Sequence, residues 1–111
     1  MGEEKLVIDT MDDLGNKVIF TYKKLKEKAI QHPELNKKTF LQNVEETIKK
    51  PEEVWPDKSD PNIKYCYYKK YSTYSYAKVV IWTKSNPFAV ITAYEINHIK
   101  EKNYPELNKI R

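Results

Sequence analysis

At 111 residues and 13.2 kDa the chain is sized for a single domain, which leaves no room for a second catalytic or regulatory module. Its 40% hydrophobic and 32% charged residues, with nine Tyr, three Phe and two Trp, exclude a disordered polymer. One cysteine, Cys66, excludes an internal disulfide; two histidines exclude a Cys/His zinc tetrad; and the formal net charge of +4 gives only a mild bias towards anionic partners.

Residues 1–5, Met-Gly-Glu-Glu-Lys, are acidic and lack an apolar core, so they do not read as a secretory signal, and a cytoplasmic protein is expected. Lys5–Ile8 and Lys17–Tyr22 read as two strands of a hairpin, joined by the polar turn through Asp12, Asp13, Leu14, Gly15 and Asn16. Lys23–Gln31 has helical composition and stops at His32, because Pro33 disfavours helical backbone in the residue before it. A second helix runs from Asn36 or Lys37 to Lys49. Phe40, Leu41, Val44, Thr47 and Ile48 form its inward stripe, and Pro51 closes it.

Glu52–Asn62 holds Pro56 and Pro61 and reads as a connection. The period then changes to two. Ile63–Tyr71, Tyr76–Thr83 and Phe88–Glu95 read as three strands of an antiparallel meander. The longest apolar candidate, Ala77–Trp82, has strand length, so no membrane span is expected. Strict alternation puts Ala77, Val79, Ile81, Ala89, Ile91 and Ala93 under the helices. Tyr76, Lys78, Val80, Trp82, Phe88, Val90, Thr92 and Tyr94 then face the other way. A four-residue turn at Ser72–Ser75 would set Tyr71 opposite Tyr76 and Lys69 opposite Lys78. The core therefore spans about residues 5–99, and 100–111 is a polar tail.

No acidic residue lies between Asp60 and Glu95, a segment that mixes lysines (Lys64, Lys69, Lys70, Lys78) with aromatic residues (Tyr67, Tyr71, Tyr76, Trp82). Ammonium groups meet phosphates and aromatic faces stack unpaired bases, so this mixture suits single-stranded nucleic acid. Tyrosine is also a good strand residue, and lysine blunts sheet edges. With Gly2 and Gly15 as the only glycines, no phosphate-cradling loop is possible. The acidic residues show no metal-ligand spacing, and neither a metal nor a cofactor is expected. What remains is acid/base chemistry. An imidazole such as His32 can deprotonate a ribose 2'-hydroxyl, while lysine, threonine and tyrosine stabilise the charge that develops on phosphorus oxygens.

The ordered set of a hairpin, a helix ending in His32-Pro33-Glu34-Leu35, a helix running into Ile48-Lys49-Lys50-Pro51-Glu52-Glu53-Val54, and strands with Tyr67-Tyr68-Lys69, Val79-Val80-Ile81 and Val90-Ile91-Thr92-Ala93-Tyr94 resembles the phage-associated BECR (Barnase/EndoU/colicin/RelE-like) nucleases. The resemblance spans roughly residues 6–99. It implies an α+β fold, with two N-terminal helices packed on one face of a four- to five-stranded antiparallel sheet. It also implies a metal-independent endoribonuclease that cleaves tRNA or mRNA to a 2',3'-cyclic phosphate, as a toxin or a phage or mobile-element effector. Carried over residue by residue, His32, Thr92, Tyr94 and one of Lys78 or Lys69 are the catalytic candidates. Tyr67, Tyr71, Tyr76, Trp82, Lys64 and Lys70 are the RNA-binding candidates. The sole arginine, Arg111, departs from expectation, since any phosphate clamp must then be lysine. An active cytosolic ribonuclease also needs restraint, so an acidic antitoxin or immunity protein is an expected partner. Two competing readings use the same scaffold: an RNA-binding module that does not cut, and a protein-interaction module.

Overall fold

A computed structural model describes residues 5–111; the reading of the first four residues lies outside it. Strands β1 (Leu6–Met11) and β2 (Lys17–Thr21) form the expected hairpin. Its turn is fastened by Asp12, whose carboxylate accepts hydrogen bonds from the backbone of Leu14 (3.0 Å) and Asn16 (2.8 Å), with Gly15 at positive φ. Helix α1 (Tyr22–Ala29) follows without a linker because Thr21 caps it, its hydroxyl accepting the Lys24 N–H at 3.1 Å. A 3-10 turn, Pro33–Asn36, leads into α2 (Lys38–Lys49), whose Phe40, Val44, Thr47 and Ile48 are buried as the periodicity predicts.

Strands β3 (Glu53–Pro56), β4 (Lys64–Ser72), β5 (Ser75–Trp82) and β6 (Phe88–Ile96) complete one sheet in the order β1-β2-β6-β5-β4-β3. The sheet thus has six strands and is mixed, where four or five antiparallel strands were expected. The sixth is β3, a four-residue strand hidden between prolines in what reads as a connection; it pairs with β4 from Glu53↔Tyr68 to Pro56↔Tyr65. The parallel contact joins β2 to β6, which the chain reaches only after crossing both helices and three strands. The helices are also not N-terminal in order, since they follow the first two strands.

Two registers differ from strict alternation. The β4–β5 hairpin closes at Ser72↔Ser75, with an irregularity between Lys70 and Ser72, so that Tyr68 faces Lys78 and Lys69 faces Ala77. In β6 an extra residue, Ile91, sits between the pairs Ile81↔Val90 and Val80↔Thr92. This bulge puts Val90 and Phe88 in the core beneath the helices and Ile91 on the opposite face, the reverse of the alternation reading. Residues from Ala93 onward keep the predicted orientation.

The main core lies between the helices and the sheet, with Val18, Phe20, Leu35, Val44, Ile48, Tyr67, Val79 and Ile81 sealed from solvent. A second, smaller core forms on the outer face, where the segment after β6 folds back and packs Ile99 on Cys66, Tyr68 and Val80. The chain end then lies along β3: Ile110 N–H donates to the Val54 carbonyl (2.8 Å) and Val54 N–H to that of Arg111 (2.7 Å). Segment 100–111, polar in composition, therefore covers one sheet face and one sheet edge.

Candidate active site

Only two residue pairs, Val18↔Phe88 and Ile19↔Ala89, join β2 to β6 before the chain turns into α1. The rest of that β6 edge would be bare. The His32-Pro33-Glu34 segment covers it. His32 N–H donates to the Lys28 carbonyl at 2.9 Å, and Pro33 opens the 3-10 turn. The Glu34 carboxylate accepts the unpaired Glu95 N–H at 2.9 Å. That docking lays the His32 ring on the Tyr94 ring, centroids 4.5 Å apart and planes 14° from parallel.

Beside Tyr94 on the outer face lies Lys78, its partner across the β5–β6 ladder. Its Nζ sits 5.6 Å from the centre of the Tyr94 ring and 5.5 Å from that of Tyr68. It donates to Glu101 at 3.1 Å, and both residues are sealed from solvent at 3% and 2% exposure. The other Glu101 oxygen accepts the Tyr68 hydroxyl. Burial pulls the Lys78 pKa down, but its anionic surroundings, the Glu101 carboxylate at 3.1 Å above all, outweigh burial and hold it above the ordinary lysine value. A cavity of about 330 Å³ opens here, lined by Lys58, Lys78 and Lys100, by Asp57 and Glu101, and by Ser59, Tyr94 and Tyr104.

Asp57, Cys66 and Glu101 each bring one potential ligand atom within 4.8 Å of the others. Their chemistry does not suit a cation. Burial pushes the Cys66 thiol far up, away from the thiolate a metal would need, and its S–H donates to Asp57 at 3.5 Å. Glu101 already holds the Lys78 ammonium.

A family model described as PBECR2, phage-Barnase-EndoU-ColicinE5/D-RelE like nuclease2, matches residues 1–111, the whole chain. The chain belongs to this nuclease family. Comparison with curated proteins and with solved structures gave no match. Membership in PBECR2 implies a nucleic acid substrate. Among the described residues no helix is long and apolar enough to cross a membrane.

In this PBECR2 protein the candidate residues divide between the two sheet faces. His32 and Lys78 each lie against the Tyr94 ring. Thr92, opposite Val80, shares their face, and its hydroxyl is buried without a hydrogen-bond partner. Lys64 and Trp82 pair on the same face, as do Lys70 and Tyr76, whose ammonium and ring lie 5.8 Å apart. A groove of about 540 Å³ there is lined by Lys70, Tyr74, Tyr76, His98 and Lys102, among others. Lys69 falls on the helix side, donating to the Lys50 carbonyl at 3.2 Å, so it does not share a groove with Lys78; the irregularity at Tyr71, between Lys70 and Ser72, moves it by one residue. Tyr67 is sealed in the main core, its hydroxyl donating to Asp12 at 2.7 Å, and offers no face to a base. Tyr71 is also on the helix side, edge-on to Phe40, with burial and Glu95 raising its pKa to about 12.

Lys58, Lys100, Glu101 and Tyr104 line the cavity without a signal in the sequence. Lys58 lies in a proline-flanked connection and the other three in a polar tail. Only the fold-back of the chain brings them over β5.

Proposed function

We propose that the protein is a metal-independent endoribonuclease that cleaves tRNA or mRNA by 2'-hydroxyl transesterification, leaving a 2',3'-cyclic phosphate. The observation that carries this reading is the His32 ring laid on Tyr94 beside the Lys78 cavity, in a member of a nuclease family. In the reaction, His32 takes the proton of the ribose 2'-hydroxyl. The 2'-oxygen then bonds to phosphorus, and the 5'-oxygen leaves and is protonated. Lys78 offsets charge developing on the phosphoryl oxygens, and Tyr94 and Thr92 donate hydrogen bonds to them. Lys58 and Lys100 draw flanking phosphates to the cavity, and Tyr76, Trp82, Lys64 and Lys70 extend the track. The Thr92 hydroxyl has no hydrogen-bond partner among the described residues to give up, but it is buried and outside the cavity lining, so its donor role requires the site to open around the RNA.

The test is incubation of the protein with total RNA in EDTA. Discrete fragments with cyclic phosphate ends support the reading, and loss of cutting on addition of EDTA would sink the metal-independent step. An enzyme of this kind acts in the cytoplasm as a toxin or phage effector and needs an acidic inhibitor protein to restrain it. A second reading, RNA binding without cleavage, draws support from Glu101, which already neutralises the lysine beside Tyr94. Retained RNA with no cyclic ends would favour it.

A further inference from the structure

The net charge of the molecule is concentrated away from the cavity just described. Residues 22–38 carry six lysines (Lys23, Lys24, Lys26, Lys28, Lys37 and Lys38) and two glutamates (Glu27 and Glu34), a net of +4 that equals the formal net charge of the whole chain. Glu27 answers one of these cations, Lys24, at 3.3 Å, and Glu34 accepts the Glu95 N–H. Among the described residues, no ion pair neutralises Lys23, Lys26, Lys28, Lys37 or Lys38.

One of these lysines, Lys26, lines a groove beside α1, and Lys23 and Lys28 lie on the same helix. Between α1 and the start of α2 lies a depression of about 510 Å³ with an aliphatic floor of Leu25, Ala29, Leu35 and Leu41, edged by Tyr22, Lys26 and Asn36, with Ile30 standing in it 84% exposed. Nothing in the helix requires an isoleucine there. Ile30 follows the last helical residue and is 84% exposed. Exposed aliphatic side chains beside unpaired cations suit a partner that is apolar along one stripe and anionic along its flanks. Nucleic acid fits poorly, because a phosphate backbone gains nothing from an aliphatic floor and would lose hydration against it. The one aromatic ring in the groove, Tyr22, is already covered by the Lys26 ammonium at 5.5 Å.

We infer that the α1 groove is a docking surface for an acidic amphipathic helix of a partner protein, with apolar residues at helical spacing seated on Leu25, Ala29 and Ile30 and carboxylates meeting Lys23, Lys26 and Lys28. The inference stands on this surface alone and does not use the nuclease reading.

The test is selection from a randomised library of helical peptides on the immobilised protein. Enriched sequences carry apolar residues at i, i+3 or i+4 and i+7 flanked by Asp or Glu. They lose about tenfold or more in affinity against Ile30→Asp and against Lys26→Glu. Both substituted side chains are exposed, so the variants fold. Binding of a short oligouridylate, measured in parallel, is unchanged by Ile30→Asp. Absence of enrichment, enriched peptides without acidic residues, or peptides indifferent to Ile30→Asp each overturn the inference. So does oligouridylate competing with the selected peptides, which would assign the face to nucleic acid. Because the readout is binding, a failure here leaves the cleavage assay unaffected, and the reverse also holds.

Discussion

A lysine and a glutamate both closed off from water hold each other's charge, and removing either leaves the other unpaired in a low-dielectric site. Lys78 and Glu101 are such a pair, with the Tyr68 hydroxyl as third member. Lys78→Met is therefore expected to cost about 3 to 5 kcal/mol in urea unfolding, and the double variant Lys78→Met/Glu101→Leu to recover most of that loss. A double variant as unstable as the sum of the singles would show that the two charges are not coupled. His32 is different: it is half-buried, carries no ion pair among the described residues and stacks on the Tyr94 ring. His32→Ala should leave the unfolding midpoint nearly unchanged and lower RNA cleavage about 10²- to 10⁴-fold. Wild-type cleavage by that variant would remove His32 from the chemistry.

At the scale of elements, the His-Pro-Glu segment connects fold to site. It occupies the edge of β6 that β2 abandons after two pairs, and the Glu34 carboxylate does the work of a missing strand by accepting the Glu95 N–H. Glu34→Ala frees that N–H at an exposed position, so the stability cost should be small, about 1 kcal/mol. The same change loosens the seat of His32 on Tyr94, and a shift of an ångström there is expected to lower cleavage by about 10²-fold. Comparing the rate with the unfolding midpoint checks this. A rate loss no larger than the stability loss predicts would make the segment mere edge cover. The cavity lysines Lys58 and Lys100 come from two other elements, the loop before β4 and the returning chain end. If both meet phosphates, Lys58→Ala and Lys100→Ala should each lower the log-log salt slope of single-stranded RNA binding by about 0.7, and unchanged slopes would remove them from the track.

For the whole molecule, acid sensitivity follows from how the two chain ends are joined. Arg111 reaches back to Asp12 and Asp13 on the first hairpin turn, and Tyr67 from mid-sheet donates to the same Asp12 carboxylate. Burial raises the Asp12 pKa, but hydrogen bonds from Tyr67, Asn16 and Leu14 outweigh it, so the folded value lies below the ordinary one. Asp57, Glu53 and Glu95 are depressed as well. A depressed carboxylate stabilises the fold above its unfolded pKa of about 4, and that stability disappears as pH falls through the lower folded value. The urea midpoint should therefore be flat near neutrality and fall below about pH 4. Asp12→Asn should be less stable at pH 7 and show a shallower acid limb, by up to about 1.4 kcal/mol per pH unit. An acid limb of unchanged slope would show that Asp12 carries none of the dependence.

Much of this protein is legible in its sequence because the signals are local. The first hairpin, the stripe from Phe40 to Ile48, the pre-proline stop at His32 and the alternating Tyr-Lys strands each follow from a few neighbouring residues, and their order suffices to indicate a BECR-type nuclease family. Sequence also determined that Lys78, Thr92 and Tyr94 share one face. Tertiary structure decided what depends on one-residue shifts and on distant partners. The irregularity between Lys70 and Ser72 moved Lys69 to the helix side, and the extra residue at Ile91 exchanged the faces of Val90 and Ile91, because side chains alternate with a period of two and any slip reverses them. Strand β3 was invisible because four residues between prolines gain their stability from pairing with β4 and the chain end rather than from their own propensity. Glu101 over Lys78 could not be read from a polar tail, since nothing local distinguishes a glutamate bound for solvent from one that ends up buried against a lysine 23 residues away.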